Sequence, residues 1–134
     1  MNTEIATLSW KEECKELLEN LNRSKDSIPF RQPVDFEQVP NYLLVVDQPM
    51  DLQTVGEQLR DGHYATPTEF SKDVRLIFEN STIYDTDKEW NTMTIRLGFL
   101  FEYNFRNILS SYGYRKKAAY RSKSEQVDET SSVF

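Results

Sequence analysis

Residues 23–51 read RSKDSIPFRQPVDFEQVPNYLLVVDQPMD. Four of the chain's five prolines, Pro29, Pro33, Pro40 and Pro49, fall inside this stretch. Each removes a backbone donor and pushes the residue before it out of the helical region, so no long helix fits here. The stretch is nevertheless not composed like disorder. It carries Ile28, Phe30, Val34, Phe36, Val39, Tyr42, Leu43, Leu44, Val45, Val46 and Met50, and these must be packed somewhere. A connection of almost thirty residues is long for a compact domain. Ordered loops of that length are usually functional. The segment PNYLLVV inside it suits a turn or two of helix.

Outward from this loop the pattern becomes helical on both sides. Before it, SWKEECKELLENL (9–21) places Trp10, Cys14, Leu17, Leu18 and Leu21 at helical spacing with Lys and Glu between them. Ser9 with Glu12 three residues on forms a capping box. After it, MDLQTVGEQLRDG (50–62) predicts a second helix. Asp51 caps its start, Leu52, Val55 and Leu59 face inward, and Gly62 lies past its end. A third helix is predicted over ATPTEFSKDVRLIFENSTIY (65–84), with Thr66 as cap, Pro67 at the first helical position and Glu69 completing the signal. Phe70, Val74, Ile77, Phe78 and Tyr84 continue its apolar stripe. A fourth is expected from about Trp90 to Tyr112, with Met93, Leu97, Leu100, Phe101, Phe105, Ile108 and Leu109 inward and Gly113 ending or fraying it. Cys14, Leu18, Val74, Phe78, Leu97 and Phe101 are expected in one core. No strand alternation of useful length and no internal repeat occurs. The fold class is all-α: four helices, with one long proline-rich loop joining the first and second.

Composition narrows the function. A length of 134 residues suits one domain, and 38% apolar residues suffice for a core. No run of apolar residues is long enough to cross a membrane, and MNTEIATLSWKEEC lacks the basic and apolar regions of a secretory signal. The single cysteine, Cys14, excludes an internal disulfide and reads as a small buried side chain. The net charge of −6 is unevenly spread. Residues 1–113 hold 19 acidic and 11 basic residues, whereas YRKKAAYRSKS (114–124) holds five basic residues and no acidic one. An acidic body favours cationic partners. The basic stretch is either a solvated helix end or a weak nucleic-acid contact. Residues 113–134 are expected to form a basic, then polar, flexible tail.

Enzyme chemistry finds little to work with. His63 is the only histidine, which leaves histidine triads and histidine-based metal sites without members. There is no glycine-rich phosphate loop and no G-x-S-x-G turn. The stretch NSTIYDTDKEW (80–90) brings Asp85, Asp87 and Glu89 together where one helix stops and the next begins. A calcium loop starting at Asp85 needs Gly at its sixth position and Glu at its twelfth. Those positions are Trp90 and Arg96, so that reading fails and no metal or cofactor is expected. Capping of the last helix by Asp85 or Asp87, and a place in a ligand pocket, both stay open.

Three blocks then carry a specific resemblance. IPFRQPVD (28–35), VPNYLLVVDQPMDLQTV (39–55) and FENSTIYD (78–85) resemble, in order and spacing, the signature blocks of a bromodomain. The resemblance covers roughly residues 8–112. PFRQPVD and KDVRLIFEN further resemble the second bromodomain of the WD-repeat bromodomain proteins, the family of the pleckstrin-homology-domain-interacting protein. The resemblance implies a left-handed four-helix bundle whose long first loop and last turn form an acetyl-lysine pocket. It implies a monomeric nuclear chromatin reader whose partner is an acetylated histone tail. Ile28, Pro29 and Phe30 match the family's shelf, and Val34 and Val39 match apolar wall positions. Tyr42 matches the tyrosine that contacts the ligand through water, and Tyr84 the tyrosine ending the third helix. Trp90 matches the gatekeeper that opens the fourth.

The chain departs from the family at three places. The shelf begins with Ile28 rather than Trp, and the turn after Tyr84 is shorter than usual. Asp85 stands where the family has a ligand-anchoring Asn. An Asn amide donates to the acetyl carbonyl, whereas an ionised Asp offers only acceptors. Two facing acceptors left unsatisfied cost on the order of 1–3 kcal/mol. Three outcomes follow: weakened acetyl-lysine binding, a switch to unmodified or methylated lysine, or a structural interaction module with no lysine ligand.

Overall fold

The computed structural model describes residues 9–84 and 88–132, the side chains of 123–132 excepted. Helix α1 spans Trp10–Arg23 and starts as the sequence requires, with the Ser9 hydroxyl accepting from the Glu12 backbone N–H at 3.2 Å. A short 3-10 helix, Lys25–Phe30, follows at once. The proline-rich loop then runs over the end of the bundle, interrupted by one helical turn, α2 (Tyr42–Val45). Asp51 opens α3 (Leu52–Arg60), its carboxylate accepting from the Thr54 N–H at 2.9 Å and the Thr54 hydroxyl at 2.6 Å. Gly62 follows α3 with φ of 80°, a left-handed conformation that glycine adopts without steric cost.

Helix α4 spans Pro67–Tyr84. Thr66 Oγ1 accepts from the Glu69 N–H at 3.3 Å, and the Glu69 carboxylate reaches back to the Ala65 N–H at 2.6 Å. Helix α5 spans Lys88–Ser132. Gly113 therefore does not end it. A glycine inside a helix costs only about 1 kcal/mol, and the residues around it make up the difference. Arg115 pairs with Glu13 of α1 at 2.9 Å, and the Tyr112 ring meets Trp10 edge-on with centroids 6.3 Å apart.

Helices α1 and α4 each pack against both α3 and α5, which closes a four-helix arrangement, and among the described residues there is no strand. The core runs through Cys14, Leu18, Leu21, Val55, Phe70, Val74, Leu97, Phe101 and Phe105. Phe101 and Phe105 stack with centroids 5.2 Å apart, and Phe70 lies 6.2 Å from each. Two expectations about helix phase need correction. Phe78 is only partly buried, at the margin of this core, packed edge-on against Phe30 at 6.1 Å. Leu109 is 43% exposed, because the inward seam of α5 continues from Ile108 toward Tyr112 and leaves Leu109 rotated outward.

The loop is fixed at both ends. Arg31 donates from Nε to the Ser27 hydroxyl at 2.8 Å and from its terminal nitrogen to the Asn22 and Ser24 carbonyls at 2.7 and 3.1 Å. Its own carbonyl accepts from the Gln53 N–H at 3.1 Å, joining the loop to α3. Asp26 and Arg96 form a two-pronged ion pair at 2.8 and 3.0 Å, which ties the 3-10 helix to α5. Further on, the buried Asn80 amide of α4 donates to the Gln48 carbonyl at 2.8 Å.

Candidate functional site

The loop, the end of α4 and the first turn of α5 enclose a cavity of about 340 Å³. Pro29, Phe30, Val34 and Val39 supply apolar wall from the loop, and Tyr42 closes it from α2. Tyr84 and Trp90 stand at the facing ends of α4 and α5. Seven of the residues expected at a pocket from the sequence thus surround one space. Ile28 does not: it is 60% exposed and outside the lining. The 3-10 geometry explains this, because its three-residue period stacks Ser27 and Phe30 on neighbouring inward positions. Both of those are buried, and Ile28 is turned to solvent. Asp85, the expected ligand anchor, and Asp87, the alternative cap, lie outside the described residues.

The cavity wall is strongly aromatic. Phe30 meets Trp90 edge-on, centroids 5.6 Å apart and planes at 75°. The Tyr42 and Tyr84 rings are 5.0 Å apart, and Phe36 leans on Tyr42 at 6.3 Å. Tyr42 is 7% exposed. Burial, and then the neighbouring Tyr84, raise its phenol pKa above the ordinary tyrosine value, so it stays protonated. A neutral phenol in an apolar wall is a hydrogen-bond donor available to a carbonyl or to a bridging water.

Three further lining residues come from α4: Ile77, Asn80 and Ser81. With Tyr84 they fall at intervals of three, four and seven residues, one face of a helix. That spacing was present in IFENSTIY (77–84), but an Asn and a Ser inside an apolar stripe read as ordinary helix residues. The loop adds Gln32, Gln38 and Met50, whose inward direction no periodicity could give. Ser81 and Thr94 are buried and hydrogen-bonded at 2.8 Å, and the Trp90 indole N–H donates to Ser81 Oγ at 2.5 Å. Among the described residues no group of three or more His, Cys, Asp or Glu side chains is placed to hold a metal.

A family model described as Bromodomain matches residues 14–95, more than half of the chain and every residue that lines the cavity. The chain belongs to the bromodomain family. Among curated bromodomain proteins, transcription factor GTE10 of Arabidopsis thaliana is 37% identical over 109 residues, covering 79% of this chain. The SWR1 complex bromodomain subunit bdf1 of Schizosaccharomyces pombe is 34% identical over 98 residues, covering 71% of the chain. The chain spans only 10% and 17% of those two proteins' own lengths. Among solved structures, the second bromodomain of Candida albicans Bdf1, bound to an imidazopyridine, aligns with a TM-score of 0.65 and 34% identity. That alignment covers 70% of this chain and 94% of the other. A bromodomain is a binding module rather than an enzyme family.

Proposed function

We propose that this bromodomain reads acetylated lysine in histone tails, with an affinity limited by Asp85. The observation that carries the reading is the gathering of Pro29, Phe30, Val34, Val39, Tyr42, Tyr84 and Trp90 around a single cavity of about 340 Å³. Acetylation removes the charge of lysine and leaves an amide on an apolar stem. A cavity of apolar walls with one or two oriented polar groups is what such a side chain needs. The protonated Tyr42 supplies one of them. Asp85 follows Tyr84 directly in the chain and lacks the donor that an Asn there would give, which motivates the expectation of weak binding. The blocks PFRQPVD and KDVRLIFEN support a place among the second bromodomains of WD-repeat proteins. A nuclear, monomeric module acting on chromatin fits this reading.

A second reading rests on the same walls. Four aromatic rings, Phe30, Tyr42, Tyr84 and Trp90, line the cavity, and aromatic faces attract methylated ammonium groups. With a carboxylate at position 85, a methylated or unmodified lysine becomes the competing ligand, and a purely structural interaction module is the reading with no ligand. Calorimetric titration with acetylated, trimethylated and unmodified forms of one histone tail peptide separates the three. Acetyl-lysine preference is the expected result. Preference for the cation replaces the ligand, and heat-silent titrations with all three leave the structural module. The exposed face of α5 carrying Tyr114, Lys117 and Arg121 supports an additional weak contact with nucleic acid, which gel-shift titration at two salt concentrations tests.

A further inference from the structure

We infer that Ser81 and Thr94 are positioning residues that lock Trp90 as a wall of the pocket and thereby set the size of acyl group it admits; the ligand half of this inference rests on the acyl-lysine reading above. The hydrogen bonds among these residues have only one consistent direction. The indole N–H of Trp90 can only donate, and it donates to Ser81 Oγ at 2.5 Å. The backbone carbonyl of Trp90 can only accept, and it accepts from Thr94 Oγ1 at 3.0 Å. The remaining bond, 2.8 Å between the two hydroxyls, must therefore run from Ser81 to Thr94. The circuit leaves the Trp90 side chain and returns to the Trp90 backbone.

Both hydroxyls are buried, Ser81 at 7% and Thr94 at 4% exposure, so a broken link is not replaced by bulk water. The ring is held from a second direction by Phe30, edge-on at 5.6 Å. An indole otherwise chooses among broad χ2 positions. The hydrogen bond at its nitrogen and the Phe30 ring packed against it restrict that choice. Ser81 also lines the cavity, yet its hydroxyl accepts from Trp90 and donates to Thr94. Its task is to hold the wall rather than to bind the ligand.

A pinned wall excludes longer acyl chains, and a released one swings to admit them. The test uses the full chain with wild-type sequence, Ser81→Ala, Thr94→Val and Thr94→Ser. Thr94→Val removes the hydroxyl at nearly constant volume, which keeps the test valid if Ser81→Ala fails to fold, and Thr94→Ser restores the donor. The first readout is the Trp90 indole N–H resonance and its solvent exchange, identified against a Trp10→Phe background. Its shift and faster exchange in Ser81→Ala and Thr94→Val, with recovery in Thr94→Ser, are expected. The second readout is the affinity ratio for acetyl-lysine over butyryl-lysine peptide. It should be about tenfold in the wild type and in Thr94→Ser and fall to within about threefold in the two broken variants. An unchanged indole resonance in both broken variants overturns the lock, and an unchanged ratio with a released indole overturns its role in ligand size. Failure of every acyl peptide to bind wild-type protein overturns the acyl-lysine reading instead, while the resonance still decides whether Trp90 is held.

Discussion

On the acetyl-lysine reading proposed above, an ionised carboxylate at position 85 would present acceptors to a ligand carbonyl that is itself an acceptor. Asp85→Asn changes one atom's chemistry with almost no change of shape, and so supplies the missing donor. The expected gain is about 1–2 kcal/mol, roughly five- to thirtyfold in affinity for acetylated peptide. Wild-type protein should also bind better on acidification, since a protonated carboxyl donates, and the Asn variant should show no such trend. Calorimetry on both proteins at two pH values measures this. Equal affinity, or a weaker Asn variant, places Asp85 away from the ligand and favours a capping role. Cys14 makes the opposite kind of test, because it is expected to do nothing. It is fully buried, and burial, then Glu13, push its thiol up to about 12. The thiolate is the reactive form, so alkylation at pH 8 should proceed only as fast as the protein unfolds. Fast stoichiometric labelling of native protein would contradict the burial.

The helices show which parts of the molecule were legible in the sequence. Ser9, Asp51, Thr66 with Pro67, and Gly62 all stand at helix ends as their chemistry demands, because capping is a local interaction between near neighbours. The inward stripes of α1 and α3, and that of α4 apart from Phe78, were legible for the same reason. The pocket residues on the loop were not legible from periodicity at all. Pro29, Phe30, Val34, Val39 and Tyr42 came from a resemblance, and Gln32, Gln38 and Met50 were missed, because a proline-rich loop has no repeat that fixes which side faces in. Ile28 came from the same resemblance, and it is turned to solvent because the 3-10 turn sends Ser27 and Phe30 inward. Phe78 shows what a small error of phase does. Its burial is partial, so Phe78→Ala should cost about 1–3 kcal/mol, whereas Phe101→Ala, at a fully buried position, should cost about 3–5 kcal/mol. Chemical denaturation of the two variants gives the comparison, and equal losses would mean that the margin of the core is as tightly packed as its centre.

At the scale of the whole molecule, charge joins segments that are distant in sequence. Asp26 and Arg96 lie 70 residues apart in sequence and hold the 3-10 helix against α5. The Arg96 hydrogen bonds hold the Asp26 carboxyl below its ordinary value. Its folded-state pKa is thus lower than its unfolded one, so the pair contributes stability above the ordinary carboxylate range and loses it as pH falls through the depressed value. Melting temperature should fall less steeply between pH 5 and pH 3 in Asp26→Asn than in wild type, and parallel curves would remove the pair from the acid response. The same logic of charge applies to the peptide. From Gln32 to Leu59 the chain contains no Lys or Arg, yet it carries Asp35, Glu37 and Asp47, all exposed on the loop that walls the pocket. A lysine-rich tail entering that pocket brings its positive charges past these carboxylates, while the acetylated side chain inside is neutral. Attraction between exposed charges is screened beyond about 10 Å at 0.1 M salt. Affinity for an acetylated, lysine-rich peptide should therefore drop at least about threefold between 50 and 500 mM salt, and affinity for a small neutral acetamide probe should not change. Replacing Asp35, Glu37 and Asp47 together by Asn, Gln and Asn should flatten the peptide's salt response and leave the probe's affinity intact. A peptide affinity as flat as the probe's in the wild type would show that the pocket alone, and not the acidic loop around it, determines the choice of partner.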